Sequence, residues 1–170
     1  FRSSASAYLD RTPTVASNQK TWTWSGWVKR GVLGSDSYIF SVARGATTYP
    51  AFSAYFVSDN TLRVFNYTGS AYSLELITTQ VFRDPSAWYH LVIAIDTTQA
   101  TAANRAKIYI NGSQVTALST ATYPSQNADL EINYTSSHRI GQQRYNSSNY
   151  LDGYLTTIYF VDGQQLTPGS

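Results

Sequence analysis

The sequence contains no cysteine and no methionine among its 170 residues. Without cysteine the chain cannot form disulfides, thiolate metal sites or a cysteine nucleophile, so its stability must come from packing and hydrogen bonds. Because even an initiator methionine is missing, we expect a processed product or an ordered part of a longer polypeptide.

Runs of like charge and long apolar stretches are also missing. Twelve basic and ten acidic residues give a formal charge of +2 and are scattered along the chain, with no basic cluster that could contact phosphates or anionic lipids. The longest apolar stretch, residues 91–95, is far shorter than the roughly 20 residues that a membrane-spanning helix needs. We therefore expect no nucleic acid partner and no membrane insertion.

Helical periodicity is absent, whereas alternation of apolar and polar residues recurs between turn signals, which favours an all-β fold. In residues 20–29, for example, Trp22, Trp24 and Val28 share one parity and polar residues hold the other, although Trp27 departs from the pattern. We predict strands at residues 20–29, 38–43, 51–58, 62–65, 72–77, 88–95, 107–110, 114–115, 130–134, 138–141 and 154–161. This spacing is typical of sandwiches and jelly rolls.

Two turn signals predict hairpins. Asp59-Asn60 separates two β-rich runs, and Asn111-Gly112 joins residues 107–110 to residues 114–115. Asn-Gly is the stronger signal because both residues tolerate the positive φ of a type I′ turn. Residues 98–105 are alanine-rich and are predicted to form a turn or a short helix inside a loop.

Four segments in order resemble the concanavalin A-like lectin/glucanase superfamily in its laminin-G-like form. They are KTWTWSGWVKR at residues 20–30, WYHLVIAID at 88–96, KIYINGSQV at 107–115, and the closing pair HRIG at 138–141 and YLDGYL at 150–155. The resemblance implies one domain over residues 1–170, folded as a two-sheet antiparallel jelly-roll sandwich. It does not specify function, because such folds host hydrolases, lectins and architectural domains alike.

Three stretches, TWTWSGWVKR, AIDTTQATAANR and YFVDGQQL, also resemble domains of structural and fibre proteins from aquatic tailed bacteriophages. This second resemblance implies a non-enzymatic structural subunit of an extracellular fibre, appendage or virion surface that associates with other copies of itself. Residues 1–12 are a candidate edge strand, either in the chain's own sheet or donated to another copy. The alternative function is carbohydrate binding or adhesion, and a more remote one is glycoside hydrolysis.

The polar and aromatic segment of residues 139–150 is the candidate binding loop. Aromatic rings can hold the apolar faces of sugars while planar amides and guanidinium groups bind the hydroxyls, and the same side chains suit a subunit contact. The candidate residues are Gln142, Gln143, Arg144, Tyr145, Asn146, Asn149 and Tyr150.

Calcium is the cofactor that the superfamily resemblance implies, although the sequence requires none. Asp96 and Asp152 are the candidate ligands. Both positions are better explained as ordinary turn formers whose carboxylates bind nearby backbone amides.

Catalytic signals are weak. Glu75 and Glu131 are the only glutamates and are not arranged as the closely spaced carboxylate pair that glycosidases use. His90 and His138 are expected to have structural roles. Four Asn-x-Ser/Thr triplets at Asn66, Asn111, Asn133 and Asn146 are candidate glycosylation sites, which a prokaryotic or phage origin would leave unmodified.

Overall fold

The computed structural model describes residues 1–44 and 49–169, and almost all of its regular structure is β-strand. The strands are β1 (Leu9–Arg11), β2 (Thr21–Arg30), β3 (Ser37–Arg44), β4 (Tyr49–Phe56), β5 (Thr61–Tyr67), β6 (Tyr72–Val81), β7 (Tyr89–Asp96), β8 (Ala106–Ile110), β9 (Ser113–Gln114), β10 (Leu118–Thr122), β11 (His138–Ile140) and β12 (Gly153–Asp162). Short 3-10 helices occupy Ser3–Ala5 and Ala102–Asn104, the second within the predicted short-helix segment.

The strands form two antiparallel sheets. The seven-stranded sheet has the order β1-β11-β3-β4-β5-β6-β10, and the five-stranded sheet has the order β12-β2-β7-β8-β9. Each sheet turns one face towards a shared apolar core, because successive side chains of a strand point to opposite faces. The predicted all-β jelly-roll sandwich is confirmed.

Strand β2 shows how alternation builds the core. Trp22, Trp24 and Val28 are buried between the sheets, whereas Trp27 is partly exposed on the opposite face, as its parity requires. Thr23 shares the outer parity but is also buried, contrary to the expectation of a wettable face. The reason is the C-terminal segment, where the carbonyl of Gln164 accepts a hydrogen bond from Thr23 Oγ1 at 2.8 Å.

Both predicted hairpins are confirmed. Asn60 has φ of 74° between β4 and β5, and Asn111 and Gly112 have φ of 50° and 85° between β8 and β9. Positive φ at both central residues is what a type I′ turn requires, and asparagine and glycine adopt it at low cost.

The predicted strand at residues 130–134 is wrong, and β10 was not predicted. Leu130 and Ile132 are fully buried in the core, but their segment joins no sheet ladder. Its backbone is satisfied locally and by a side chain: Ile132 N–H binds the carbonyl of Leu130 at 2.8 Å, and Glu131 N–H binds Asn66 Oδ1 at 2.7 Å. The alternation of apolar residues in this segment therefore reflects the burial of Leu130 and Ile132 in the core and does not indicate pairing in a sheet.

Strands β1 and β12 are edge strands of the two sheets. They lie on the same side of the sandwich, which we call the open side. Strand β1 pairs with β11, with Leu9 opposite Ile140, so residues 9–11 are an edge strand of the chain's own sheet. Strand β12 is the edge of the other sheet, and its register with β2 shifts between Thr156 and Tyr159. Thr157 has φ of 53° at this β-bulge, which interrupts the regular edge.

Candidate functional site

The seven-stranded sheet carries aromatic and charged side chains on the face directed away from the core. Tyr38 lies opposite Tyr55 and Tyr55 opposite Arg63, while Phe65 lies opposite Glu75 in the adjacent row. The rings of Tyr38 and Tyr55 stack with centroids 4.3 Å apart and planes inclined by 6°. We call the set Tyr38, Tyr55, Arg63, Phe65, Tyr72 and Glu75 the outer cluster.

Arg63 is the centre of the outer cluster. It donates to Tyr55 OH at 2.9 Å and forms an ion pair with Glu75, and its guanidinium lies 4.8 Å from the ring centroid of Tyr72. Burial by itself lowers the pKa of Arg63, but its contacts with Tyr55, Tyr72 and Glu75 raise that pKa overall. The guanidinium is therefore a fixed, permanently charged donor group held among rings.

Two polar atoms of this face are buried without hydrogen-bond partners among the described residues, namely Ser53 Oγ and Arg63 Nε. An unsatisfied buried donor costs about 1–3 kcal/mol. Tyr72, in contrast, exposes 42% of its surface, so the cluster is open to solvent on the β6 side.

The candidate binding loop folds over the β3 side of the same face. Gln143 pairs with Ser148 as an isolated β-bridge, which makes the loop a small hairpin. Gln143 Nε2 donates to Tyr38 OH at 3.0 Å, and Arg144 N–H donates to Ser41 Oγ at 2.8 Å. The predicted loop and the outer cluster therefore form one continuous surface.

The candidate loop residues have different surroundings. Tyr145, Asn146 and Asn149 are exposed, and Tyr150 packs near Tyr8 with ring centroids 6.5 Å apart. Gln142 is buried and its Oε1 accepts a hydrogen bond from Arg139. Its assignment to a ligand-facing surface is therefore wrong, because this side chain holds the loop to β11 instead.

Sequence reasoning missed the outer cluster itself. By sequence parity alone, Tyr38 belongs to the same strand face as Phe40 and Val42, but the register shifts between Tyr38 and Phe40. This irregularity turns Tyr38 outward while Phe40 remains in the core. The available signal was Tyr55, which stands on the opposite parity from Phe52 and Phe56 in β4.

A second aromatic surface lies on the outer face of the five-stranded sheet. The set Trp27, Trp88, Tyr154 and Tyr159, which we call the tryptophan patch, is exposed, with Tyr154 and Tyr159 at 63% and 60%. The rings of Trp88 and Tyr154 are 6.4 Å apart. The rings of His90 and Trp27 stack with centroids 5.0 Å apart, and His90 Nε2 lies 3.1 Å from Ser25 Oγ in a hydrogen bond. These contacts give His90 a structural role.

A family model described as the concanavalin A-like lectin/glucanases superfamily matches residues 3–168. The chain belongs to this superfamily. The match confirms the superfamily resemblance, whereas the resemblance to phage fibre domains stays a prediction. No curated protein matches the chain.

Three of the solved structures with a similar fold illustrate the match, and all three have low sequence identity to this chain. A heptameric SAP-like pentraxin from Limulus polyphemus has 19% identity and a TM-score of 0.60, covering 94% of this chain and 71% of its own. Domains LG4-5 of the mouse laminin alpha1 chain have 11% identity and a TM-score of 0.59, covering 91% and 38%. Domain 4 of AbnA, a GH43 extracellular arabinanase from Geobacillus stearothermophilus, solved in complex with arabinotriose, has 18% identity and a TM-score of 0.58, covering 90% and 65%. These likenesses concern the fold alone.

The candidate calcium ligands lie at opposite ends of β2. Asp96 is opposite Thr21, whereas Asp152 directly precedes Gly153, which is opposite Arg30. Asp96 caps a turn by accepting from Thr98 Oγ1 at 2.6 Å and Thr98 N–H at 3.0 Å. These two aspartates cannot share one ion. Among the residues that the structure describes, no group of three or more histidine, aspartate or glutamate side chains could hold a metal.

Asp152 also has a structural contact, since its Oδ2 accepts a hydrogen bond from Ser3 Oγ at 2.8 Å. This bond ties the N-terminal segment to the start of β12. In the described part of the chain, no helix has the length and apolar character needed to cross a membrane.

Two of the four candidate glycosylation sites are inaccessible. Asn66 is fully buried, and its amide binds both Ser73 Oγ at 2.8 Å and Glu131 N–H. Asn133 is buried and donates to the carbonyl of Asn18. Both assignments are wrong because an oligosaccharide needs an exposed amide. Asn111 and Asn146 lie in exposed turns.

The two glutamates have separate environments. Glu75 is held by Arg63 in the outer cluster, whereas the backbone of Glu131 binds Asn66 on the core side of the same sheet. His138 donates from Nδ1 to the carbonyl of Ser136 at 2.7 Å and accepts from Asn133 N–H at Nε2. Because Nε2 accepts this bond it carries no proton, so the ring is the neutral tautomer with its proton on Nδ1. Burial lowers the pKa of His138, which acts in the same direction.

Proposed function

We propose that this domain binds carbohydrate on the outer cluster and the adjoining loop. The observation that carries the proposal is the exposed ring of Tyr72 beside the Arg63–Glu75 ion pair. A ring face takes up the apolar side of a sugar, and fixed guanidinium and carboxylate groups bind its hydroxyls at defined positions.

The arrangement is fixed before any ligand arrives. Arg63 is held by Tyr55 and Glu75, and the loop is held by Gln143 and Arg144. Side chains that are already ordered lose little entropy on binding. The AbnA domain solved with arabinotriose supports the proposal by its fold, and it suggests arabinan-type oligosaccharides as the first ligands to test.

A glycan array followed by calorimetry tests the proposal. We expect at least one array hit whose binding is lost in Tyr72→Ala and weakened in Tyr145→Ala and Tyr150→Ala. Tyr154→Ala is the control, because it removes another exposed tyrosine from the opposite face of the sandwich. A silent broad array, or equal losses in Tyr72→Ala and Tyr154→Ala, would contradict glycan binding at the outer cluster.

A second candidate function rests on the tryptophan patch. Four large exposed aromatic rings on one sheet face are typical of a protein interface. We propose that copies of this domain associate through this patch as structural subunits of an extracellular fibre, appendage or virion surface. The phage-like stretches of the sequence support that setting.

Solution mass as a function of concentration tests the second candidate. We expect oligomers at high concentration that dissociate in the double variant Trp88→Ser/Tyr154→Ser, while the control Tyr72→Ser leaves the mass unchanged. A strict monomer at high concentration would contradict self-association.

A further inference from the structure

The charges of the outer cluster are balanced within the cluster itself. Arg63 is its only cation and Glu75 its only anion, and the two side chains form an ion pair. The side chains expose 20% and 16% of their surface, so a ligand on this face can reach both. The pair therefore presents hydrogen-bonding groups to a ligand without presenting a net charge.

The guanidinium of Arg63 is already bound to groups of the protein. Its Nη1 donates to Tyr55 OH at 2.9 Å, and its Nη2 donates to Glu75 Oε1. A carboxylate typically binds arginine through two parallel hydrogen bonds. A ligand carboxylate would therefore have to displace Glu75, which would leave a partly buried carboxylate without its counter-ion, and this is costly.

A second protein carboxylate acts on the same face. Asp36 directly precedes β3, and its Oδ1 accepts a hydrogen bond from Ser58 N–H at 2.9 Å. Burial raises the pKa of Tyr38 and of Tyr55, and the negative charge of Asp36 also acts to raise both. The field of Asp36 therefore reaches the stacked tyrosine pair and opposes the approach of a further negative charge.

The adjoining loop carries two arginines, which act at the β1 edge of the sheet. Arg139 forms an ion pair with Asp10 in β1. Burial raises the pKa of Asp10, but its hydrogen bonds and the charges of Arg139 and Arg144 lower that pKa overall. Strand β11, which holds Arg139, is four strand spacings of about 4.8 Å from β6, or about 19 Å. This distance exceeds the Debye length of about 8 Å at physiological ionic strength, so Arg139 attracts an anion to Tyr72 only weakly.

We infer that the outer cluster selects neutral glycans over acidic ones and that Glu75 is the residue that determines this specificity. The inference rests on the carbohydrate binding proposed above and names its substrate class, an oligosaccharide without a carboxylate at the sugar that stacks on Tyr72. An ionised carboxylate offers about four acceptor sites, so Glu75 can accept hydroxyl groups while it remains paired with Arg63. An anionic sugar meets like charge at the same place, and such repulsion is a common source of specificity.

The carboxylate and methyl ester forms of one oligosaccharide test the inference, because they share a backbone and differ in charge. The starting probes are arabinotriose and each neutral glycan that binds in the array. A primary hydroxyl of each probe is oxidised to a carboxylate, and part of the product is converted to its methyl ester. Calorimetry with the unaltered protein should show that the carboxylate binds about tenfold more weakly than the ester, or worse.

The variant Glu75→Gln identifies the residue responsible. It keeps the size of the side chain but removes its charge, so the charge of Arg63 becomes available to a ligand carboxylate. We expect the preference for the ester to disappear or reverse, and the acid binding that is gained should weaken as salt is added. Asp129→Asn is the control, because it changes the net charge equally by removing a carboxylate from the exposed Lys20–Asp129 ion pair. It should leave the preference unchanged.

Two results would overturn this inference alone: equal or tighter binding of the carboxylate by the unaltered protein, or a preference that persists in Glu75→Gln. An array without any hit would overturn the carbohydrate binding as well, so the two failures are distinguishable. The comparison of carboxylate and ester uses the unaltered protein and remains decisive if a variant misfolds.

Discussion

Replacing Asn66 by alanine should destabilise the protein severely, although the side chain belongs to no proposed site. Asn66 is fully buried in β5, and it is the side chain that supports the buried segment around Leu130 and Ile132. Its Oδ1 accepts from Glu131 N–H at 2.7 Å, and its Nδ2 donates to Ser73 Oγ at 2.8 Å. Alanine removes both bonds at once.

The expected loss follows from the consequences for each partner. Glu131 N–H remains partly buried without an acceptor, which costs about 1–3 kcal/mol, and the lost bond to Ser73 contributes about 1 kcal/mol. The sum of about 2–4 kcal/mol is a large share of the roughly 5–15 kcal/mol by which domains are stable. With an m-value of about 2 kcal/mol per M of urea, the unfolding midpoint should fall by about 1–2 M.

Urea unfolding followed by tryptophan fluorescence measures this loss. Ser73→Ala is the comparison variant. It leaves Asn66 Nδ2 without its acceptor, which should cost about 1–3 kcal/mol, but it keeps the bond from Glu131 N–H to Asn66, so it should cost less than Asn66→Ala. Asn146→Ala, in the exposed loop, should stay within about 0.5 kcal/mol of the unaltered protein. If Asn66→Ala lost less than about 1 kcal/mol at an unchanged m-value, Asn66 would not support the 130–132 segment as we argue.

Three further predictions concern pH, metal and catalysis. Burial lowers the pKa of His138 below its unfolded value of 6.5. The stability that depends on the neutral ring is therefore complete above pH 6.5 and is lost as the pH falls towards the folded pKa. In urea unfolding at several pH values, His138→Gln should reduce the dependence of the free energy of unfolding on pH. Since Asp96 and Asp152 lie at opposite ends of β2, chelator and millimolar calcium should give the same melting temperature, and a rise with calcium would refute this. No sugar release from β-glucans is expected, and release that disappears in Glu75→Gln/Glu131→Gln would show that a hydrolase is present.

Much of the fold could be predicted because its signals are local. The alternation of Trp22, Trp24 and Val28 determines which face of β2 is buried, and Asn111-Gly112 determines a turn within four residues. Strand β10 escaped prediction because Leu118–Thr122 lies at a sheet edge and has little apolar character. Local signals therefore identify central strands better than exposed edges.

The failures have a common physical origin in long-range contacts. Leu130 and Ile132 alternate like a strand, but the backbone between them is satisfied by Asn66, which lies 65 positions away from Glu131. The outer cluster depends on the register of β3, β4 and β5, and a single irregularity beside Tyr38 decides which face that ring occupies. Parity alone cannot locate such irregularities.

The candidate loop was identified because it is rich in polar and aromatic residues, but the role of each of its side chains could not be predicted. Gln142 and Gln143 are chemically identical neighbours, yet one holds Arg139 and the other reaches Tyr38. The direction in which each amide points follows from the hairpin that the loop forms, which composition does not encode.

The bulge at Thr157 limits how copies of this domain could assemble. The backbone N–H and C=O groups of β12 change register at Thr157. A strand from a neighbouring molecule that paired with β12 could therefore form a continuous ladder of hydrogen bonds only along the short stretches on either side of Thr157. Growth by sheet extension, the route to amyloid-like fibrils, is therefore disfavoured at the longest free edge. The self-association proposed through the tryptophan patch would instead stack molecules face against face, with the sandwich layers kept distinct from one copy to the next.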